Sequence, residues 1–131
     1  MREHQSKEAL QERFREYSRF GKGFEKAIDT ALSDNVKKHL FAPSGRVLYT
    51  VVGRSGDEFL DPTRPYCSCD DFYFKVLGGQ KELCYHILSF RIATEANLVD
   101  TITFDDQEYN SILESICRDL LAPNREEERP F

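Results

Sequence analysis

The chain of 131 residues lacks tryptophan, has one methionine and contains no long apolar run. Its longest apolar stretches, such as residues 47–52, are too short to span a bilayer. The first ten residues are charged and lack the apolar centre of a secretory signal peptide. We therefore expect an intracellular protein without a membrane partner, in which phenylalanine and tyrosine supply the aromatic bulk of the core.

An excess of basic charge is also missing, because the formal net charge is -5. Residues 1–66 carry 12 Lys+Arg and 10 Asp+Glu, whereas residues 67–131 carry 6 and 13. Proteins that bind DNA through its phosphates are usually basic, so strong DNA binding by the isolated chain is not expected. Any contact with DNA would use a local basic patch in the first half of the chain. The candidate residues for such a patch are Lys22, Lys26, Lys37, Lys38, Arg46 and Arg54. We favour the interpretation that these cations only make the protein surface soluble.

The sequence also lacks two catalytic patterns that contain glycines or cysteines. The glycine-containing turns at 21–23 and 53–56 do not have the spacing or the Lys-Ser/Thr ending of a phosphate-binding P-loop. No Glu follows a His by two residues, and no P-C-x-x-C pair is present, which excludes the zinc deaminase pattern. We expect no enzymatic activity and no small-molecule substrate.

The periodicity of apolar residues predicts an α+β fold, with a small antiparallel β-hairpin or sheet between helices. We divide the chain into an N-terminal helical segment (1–35), a β-hairpin with a metal-binding finger (36–98), a C-terminal amphipathic helix (99–121) and a flexible tail (122–131). Apolar residues at helical spacing in the first segment are Leu10, Phe14, Tyr17, Phe24, Ile28, Ala31 and Leu32.

Strands are predicted at 36–42 and 46–52, because β-branched and aromatic residues flank the turn sequence Pro43-Ser44-Gly45. A third strand is expected at 58–60 and an extended segment at 66–69. Acids at 70–71 favour the start of a short helix over 72–77, and a longer helix is predicted over 84–96.

The last helix has the clearest apolar stripe, and Thr103 with Asp106 resembles a capping box before it. The stripe consists of Tyr109, Ile112, Leu113, Ile116, Cys117, Leu120 and Leu121.

Three of the four cysteines and one of the three histidines form two tight pairs, separated by fourteen residues. Cys67 and Cys69 form a C-x-C pair, and Cys84 and His86 form a C-x-H pair. Zinc prefers four thiolate or imidazole ligands in a tetrahedron, and three sulfurs with one nitrogen complete it. We therefore predict one structural Zn²⁺ held by these four side chains.

The alternative is that these are ordinary buried or redox cysteines, but a C-x-C redox pair would leave Cys84 and His86 unexplained. Cys117 lies on the apolar stripe of the last helix and is interpreted as a core residue. His39 and His4 have no partner at ligand spacing.

The pattern C-x-C, a variable gap and C-x-H resembles the SWIM zinc finger, and its flanks Tyr66-Cys67-Ser68-Cys69-Asp70-Asp71-Phe72 and Leu83-Cys84-Tyr85-His86-Ile87-Leu88 agree with it. The preceding hairpin, Pro43-Ser44-Gly45-Arg46-Val47-Leu48-Tyr49-Thr50-Val51-Val52-Gly53, looks like that of the short SWIM proteins of the Shu recombination complex.

The resemblance implies a non-catalytic partner of a RecA-family recombinase paralogue that supports homologous recombination and DNA repair, with DNA contacted through the complex. It also implies a nuclear location in a eukaryote, or the cytoplasm and nucleoid in an archaeon. The alternative function is direct single-stranded DNA binding without an ATPase partner.

Two aromatic residues of the finger bear on these alternatives. Many SWIM fingers have Lys between the last Cys and His, whereas this chain has Tyr85, which weakens the case for DNA contact through the finger. Tyr73 would anchor a partner if it faces outward, or pack with Leu77 in the core if it faces inward.

Overall fold

The centre of the molecule is a five-stranded mixed sheet in a computed structural model that describes residues 6–53, 56–63, 66–69 and 72–120, with side chains to residue 118. The strands are β1 (Val36–Ala42), β2 (Val47–Gly53), β3 (Gly56–Asp61), β4 (Tyr66–Cys67) and β5 (Asp100–Asp105). They are arranged in the order β4-β3-β2-β1-β5. Helices precede and follow the sheet, which confirms the α+β prediction.

The helices lie close to their predicted positions. They are α1 (Lys7–Arg13), a 3-10 helix (Arg15–Phe20), α2 (Lys22–Leu32), a π-helical turn (Phe72–Val76), α3 (Tyr85–Glu95), a 3-10 turn (Asp106–Glu108) and α4 (Tyr109–Leu120). Gly21, with φ 60°, separates the 3-10 helix from α2, which begins at the next residue. Some predictions concern residues outside the described part of the chain, namely His4, Arg54, the acids at 70–71, Leu121 and the tail at 122–131. The boundaries of the four predicted segments stay predictions.

The predicted hairpin is present, with β1 and β2 antiparallel and Leu40 opposite Val47. Gly45 occupies the turn with φ 81°, a conformation that residues with a β-carbon rarely adopt. Strand β3 continues the meander and pairs antiparallel with β2. The short β4 then pairs with β3, where Cys67 lies opposite Leu60. The first cysteine pair therefore lies at the β4 edge of the sheet.

Strand β5 was not predicted, and it pairs parallel with β1, so the sheet is mixed rather than antiparallel. Residues 100–105 therefore do not belong to the C-terminal helix. Their alternation of exposed and half-buried residues has the period of two that a strand shows, a signal the sequence contains in Ile102 and Phe104. The capping box is formed by Asp105 and Glu108, not by Thr103 and Asp106, because the chain leaves the strand only at residue 105.

The sheet separates two apolar clusters. The larger cluster joins α1, α2, α3 and the finger to one face and includes Leu10, Ile28, Val51, Leu88 and Ile92, all fully or almost fully buried. The smaller cluster lies between the other face and α4, around Phe41, Leu48 and Ile116. The finger thus shares its core with the N-terminal helices, and α4 packs across the sheet from it.

Candidate metal centre

The first ligand pair is held by β4 and the turn that follows it. Cys67 ends β4, and Cys69 lies two residues later, so both thiols are buried on the side of the larger cluster. Between them, the Ser68 hydroxyl accepts a hydrogen bond from the Phe59 backbone N–H (2.9 Å) and donates one to the Glu58 carboxylate (2.9 Å). Ser68 therefore ties the cysteine pair to β3, a contact that the C-x-C spacing did not predict.

The second ligand pair lies at the start of α3. Cys84 is the N-cap, with the extended backbone angles φ -87° and ψ 167°. The helix begins immediately after it, which places His86 in the first turn. Ser89, one turn along, donates a hydrogen bond to the His86 carbonyl oxygen at 2.7 Å. The prediction that this pair opens a helix is confirmed.

The structure brings the two pairs together. The sulfur atoms of Cys67, Cys69 and Cys84 and a ring nitrogen of His86 all lie within 4.8 Å of one another, and all four residues are buried. In a zinc tetrahedron with Zn–S bonds of about 2.3 Å, neighbouring sulfurs are about 3.8 Å apart, so the cluster has the dimensions of a zinc site.

The hydrogen bonds at the cluster also fit a metal. Nδ1 of His86 is buried and has no hydrogen-bond partner within the described parts of the chain, and a bond to zinc would satisfy such a nitrogen. Cys69 also has a hydrogen-bond donor outside the cluster, because its sulfur accepts a hydrogen bond from the Phe72 backbone N–H at 3.3 Å. N–H donors of this kind stabilise a thiolate, the form in which cysteine binds zinc.

The electrostatics of the cluster favour a thiolate at Cys84. Hydrogen bonds from the Cys67 and Cys69 thiols, together with the backbone N–H groups of Ile87 and His86, lower the pKa of Cys84 to about 4. The pKa of Cys67 is raised, because hydrogen bonds to the sulfurs of Cys69 and Cys84 retain its proton. The two neighbouring thiols, and to a smaller extent the N-terminal turn of α3, therefore favour an anionic sulfur at Cys84, and zinc would replace the protons shared among the three thiols.

Comparison with known proteins agrees with this geometry. The chain is 39% identical over 83 residues to a protein from Dictyostelium discoideum described as zinc finger SWIM domain-containing protein 7 homolog. The chain is therefore similar to a SWIM zinc-finger protein over the region that carries the ligand cluster's pattern. The match covers 62% of this chain and 53% of that protein, so the chain spans about half the length of the relative. No protein-family model matches the chain, and no solved structure matches it.

The remaining cysteine, Cys117, and a second histidine, His39, lie outside the ligand cluster. Cys117 is exposed on α4, so its interpretation as a core residue is wrong; Ile116, one residue earlier, is buried instead. His39 shares a hydrogen bond of 3.0 Å with Thr50 and stacks on Phe104. Half burial lowers the pKa of His39, which keeps its imidazole neutral.

Two tyrosines near the ligand cluster, Tyr73 and Tyr85, differ in their surroundings. Tyr73 is 66% exposed and Leu77 is 65% exposed, so the alternative in which they pack together in the core is wrong. Tyr85 lies beneath the Lys26 side chain, whose Nζ is 5.1 Å from the ring centroid. A positive charge from α2 therefore lies beside the residue between the last two ligands.

Among the cations singled out in the sequence, the five in the described part of the chain do not form one patch. Lys37 and Lys38 lie on β1, where Lys37 donates a hydrogen bond of 2.8 Å to Asp100 on the neighbouring β5. Arg46 lies over the Tyr109 ring, 4.7 Å from its centroid, and so packs against the start of α4. By contrast, Lys22 and Lys26 line a groove beside the finger.

In the described parts of the chain, no helix is both long enough and apolar enough to cross a membrane.

Proposed function

We propose that this chain is a non-catalytic, zinc-dependent adaptor that pairs with a RecA-family recombinase paralogue and supports homologous recombination and DNA repair. The observation that carries the proposal is the buried cluster of four ligands in the SWIM pattern. Four protein ligands complete the coordination of zinc and leave no position for water or substrate. Such a centre supports a binding surface rather than a reaction.

The choice of partner follows from the resemblance of the hairpin and finger to the short SWIM proteins of the Shu complex. In this proposal, ATP hydrolysis belongs to the partner, and DNA is reached through the complex. The corresponding location is the nucleus of a eukaryotic cell or the nucleoid of an archaeal cell.

The exposed apolar side chains of the π-helical turn supply a candidate contact surface. Tyr73 and Phe74 pack edge to face at 4.9 Å, and Leu77 follows them on the chain. Exposed aromatic residues of this kind are favoured anchors in protein interfaces. The turn begins three residues after Cys69, so the zinc site holds the base of the segment that presents them.

Co-purification from the native cells tests this proposal. The wild-type chain is expected to recover a RecA-family ATPase, and Cys84→Ser is expected to lose it together with zinc. Cys117→Ser is the matched control, because the same atom is changed at an exposed site outside the ligand cluster. Tyr73→Ser should retain zinc and lose most of the partner.

Recovery of no RecA-family ATPase by the wild-type chain would contradict the proposal. Equal recovery with Cys84→Ser and Cys117→Ser would show that the partner surface does not depend on the zinc fold.

A further inference from the structure

The two edges of the sheet differ in how their backbone is protected. At one edge, β4 is two residues long, and Pro62 and Pro65 precede it in the sequence. At the other edge, β5 is six residues long, reads Asp-Thr-Ile-Thr-Phe-Asp and contains no Lys, Pro or Gly. Natural proteins usually keep edge strands short or place Lys, Pro or a bulge in them, because the unpaired N–H and C=O groups otherwise pair with another chain. β5 has none of these protective residues, so its sequence suits an edge that binds another segment.

The outer edge of β5 carries backbone groups that no other strand pairs within the described part of the chain. β5 is the last strand in the order of the sheet, and its ladder runs along β1 alone, from Asp100 to Asp105. Because the backbone groups of alternate residues in a strand point to opposite sides, about half of the N–H and C=O groups of residues 101–104 point away from β1. At the end of the strand the Asp105 N–H is already occupied, since it donates a hydrogen bond of 3.0 Å to Glu108. The available edge is therefore residues 101–104.

The side chains of β5 give the two faces of this edge a different character. Ile102 and Phe104 are half-buried, and the Phe104 ring stacks on Phe41 at 5.5 Å between centroids. Thr101 and Thr103 are exposed on the other face. β-branched and aromatic residues are the types that pack best against a neighbouring strand. A strand added beside β5 would therefore place apolar side chains against Ile102 and Phe104, and small polar ones against the two threonines.

The charges around β5 select the kind of strand that would fit there. Asp100 begins β5 and is paired with Lys37 at 2.8 Å, whereas three carboxylates, those of Asp105, Asp106 and Glu108, lie at its end. Within the described residues these three carboxylates accept hydrogen bonds from backbone N–H groups or a hydroxyl and have no cationic partner. Opposite charges on neighbouring strands stabilise their pairing. This end of the edge therefore favours a cation on the strand that lies beside it.

A second copy of β5 fits this edge poorly. The antiparallel register that packs Ile102 against Phe104 of the other copy also places Asp100 opposite Asp106, at both ends of the ladder. Like charges directly opposite each other destabilise a strand pair, and each whole chain has a net charge of -5. Charge complementarity therefore favours an extended segment from a different protein, one with Lys or Arg at its ends.

We propose that the outer edge of β5 binds an extended segment of a partner protein as a sixth strand of the sheet. Backbone hydrogen bonds to residues 101–104 provide the affinity, as in other cases of β-strand addition. Alternating apolar side chains of the segment pack against Ile102 and Phe104, and a Lys or Arg lies beside Asp105. The edge is at the opposite end of the sheet from β4 and Cys67. Failure to recover a RecA-family ATPase would therefore contradict the adaptor function and leave this proposal unaffected.

NMR titration of the zinc-loaded full chain with a synthetic heptapeptide tests the proposal. The probe is Lys-Val-Thr-Val-Thr-Val-Lys with blocked termini, which places its valines on one face and its threonines and lysines on the other. We expect the largest chemical-shift changes at the amides of residues 100–105. Asp105→Asn is expected to raise Kd by about 2- to 5-fold, the range for one cross-strand charge pair, because Asn keeps the cap of the 3-10 turn and removes only the charge. Glu12→Gln, at an exposed position on α1, removes the same charge and should leave Kd unchanged.

Two N-methylated forms of the peptide separate strand pairing from the docking of side chains. One form carries the methyl groups on its valines and the other on its threonines, and these amides point to opposite edges of an extended peptide. Pairing with β5 predicts that one form loses binding and that the other keeps it. An unchanged melting temperature and retained zinc in Asp105→Asn show that a folding defect does not imitate the expected loss.

Three results would overturn the proposal. The first is the absence of chemical-shift changes at residues 100–105 with millimolar peptide. The second is equal binding by the two N-methylated forms, or equal Kd values for Asp105→Asn and Glu12→Gln, because backbone pairing or the charge at the end of β5 would then play no part. The third is a dimer of the chain in sedimentation whose formation shifts the same amides, which would assign the edge to a second copy.

Discussion

A β-carbon on Gly53 would lie 3.1 Å from Nε2 of His86, because the end of β2 passes directly beside the imidazole ring. The same carbon would lie 3.2 Å from the Gly56 carbonyl oxygen, so it has little freedom to move away. The absence of a side chain at residue 53 therefore leaves the ring in its place within the ligand cluster. A backbone position in the hairpin thus controls the geometry of a ligand 33 residues further along the chain.

We expect Gly53→Ala to lower zinc affinity by about 10-fold, since residues that orient a metal ligand typically contribute 10- to 100-fold. Competition with a chromogenic chelator measures the affinity. Gly23→Ala is the control, because a β-carbon there meets only the Phe20 Cβ, at 4.0 Å. It should keep wild-type affinity and be neutral or more stable by up to about 1 kcal/mol in a helix. Unchanged affinity in Gly53→Ala would show that the ring accommodates the extra carbon.

Ser68, between the first two ligands, should matter more for stability than its small size implies. Ser68→Ala removes the acceptor of the Phe59 N–H and the donor to the buried Glu58 carboxylate, so we expect a loss of about 1–3 kcal/mol in the free energy of unfolding. Denaturant unfolding of the zinc-loaded chain measures it. Ser111→Ala, at an exposed position on α4, should change stability by less than about 0.5 kcal/mol. Equal effects of the two substitutions would argue against this role.

Zinc removal should loosen the finger before the rest of the sheet. Metal binding supplies folding free energy to the segments that carry the ligands, and a bound zinc would link the two ligand pairs directly. Hydrogen exchange of the chelated chain should therefore show faster exchange at residues 66–69 and 84–90, with β1 and β2 still protected. Uniform loss of protection would mean that the finger and the sheet unfold as one unit.

The ligand set could be predicted from the sequence because Cys67, Cys69, Cys84 and His86 have a spacing that only a shared site explains well. The hairpin was predictable because Gly45 and its neighbours carry strong turn chemistry. Strand β5 was missed although Ile102 and Phe104 alternate with polar residues as in a strand, and its parallel pairing with β1 could not be predicted because it is a contact across more than sixty residues.

The surroundings of the metal site could not be predicted from the sequence either, because they too depend on contacts between distant segments. The approach of Gly53 to His86 and the position of Lys26 over Tyr85 both join segments that are distant in sequence. Periodicity locates a buried face, but it does not identify which segment will cover that face.

Ile116→Ala should separate fold stability from zinc binding. Ile116 is 7% exposed and packs α4 onto the sheet face that carries Phe41 and Leu48, across the sheet from the ligands. Truncation of a buried isoleucine costs about 2–5 kcal/mol, so the melting temperature should fall clearly. One zinc per chain should remain below that temperature, because the ligands belong to the other cluster, which α4 does not cover. Metal analysis alongside thermal unfolding tests both parts, with Cys117→Ala as the exposed neighbour that should leave both unchanged. Loss of zinc from folded Ile116→Ala would show that the two clusters are coupled through the sheet.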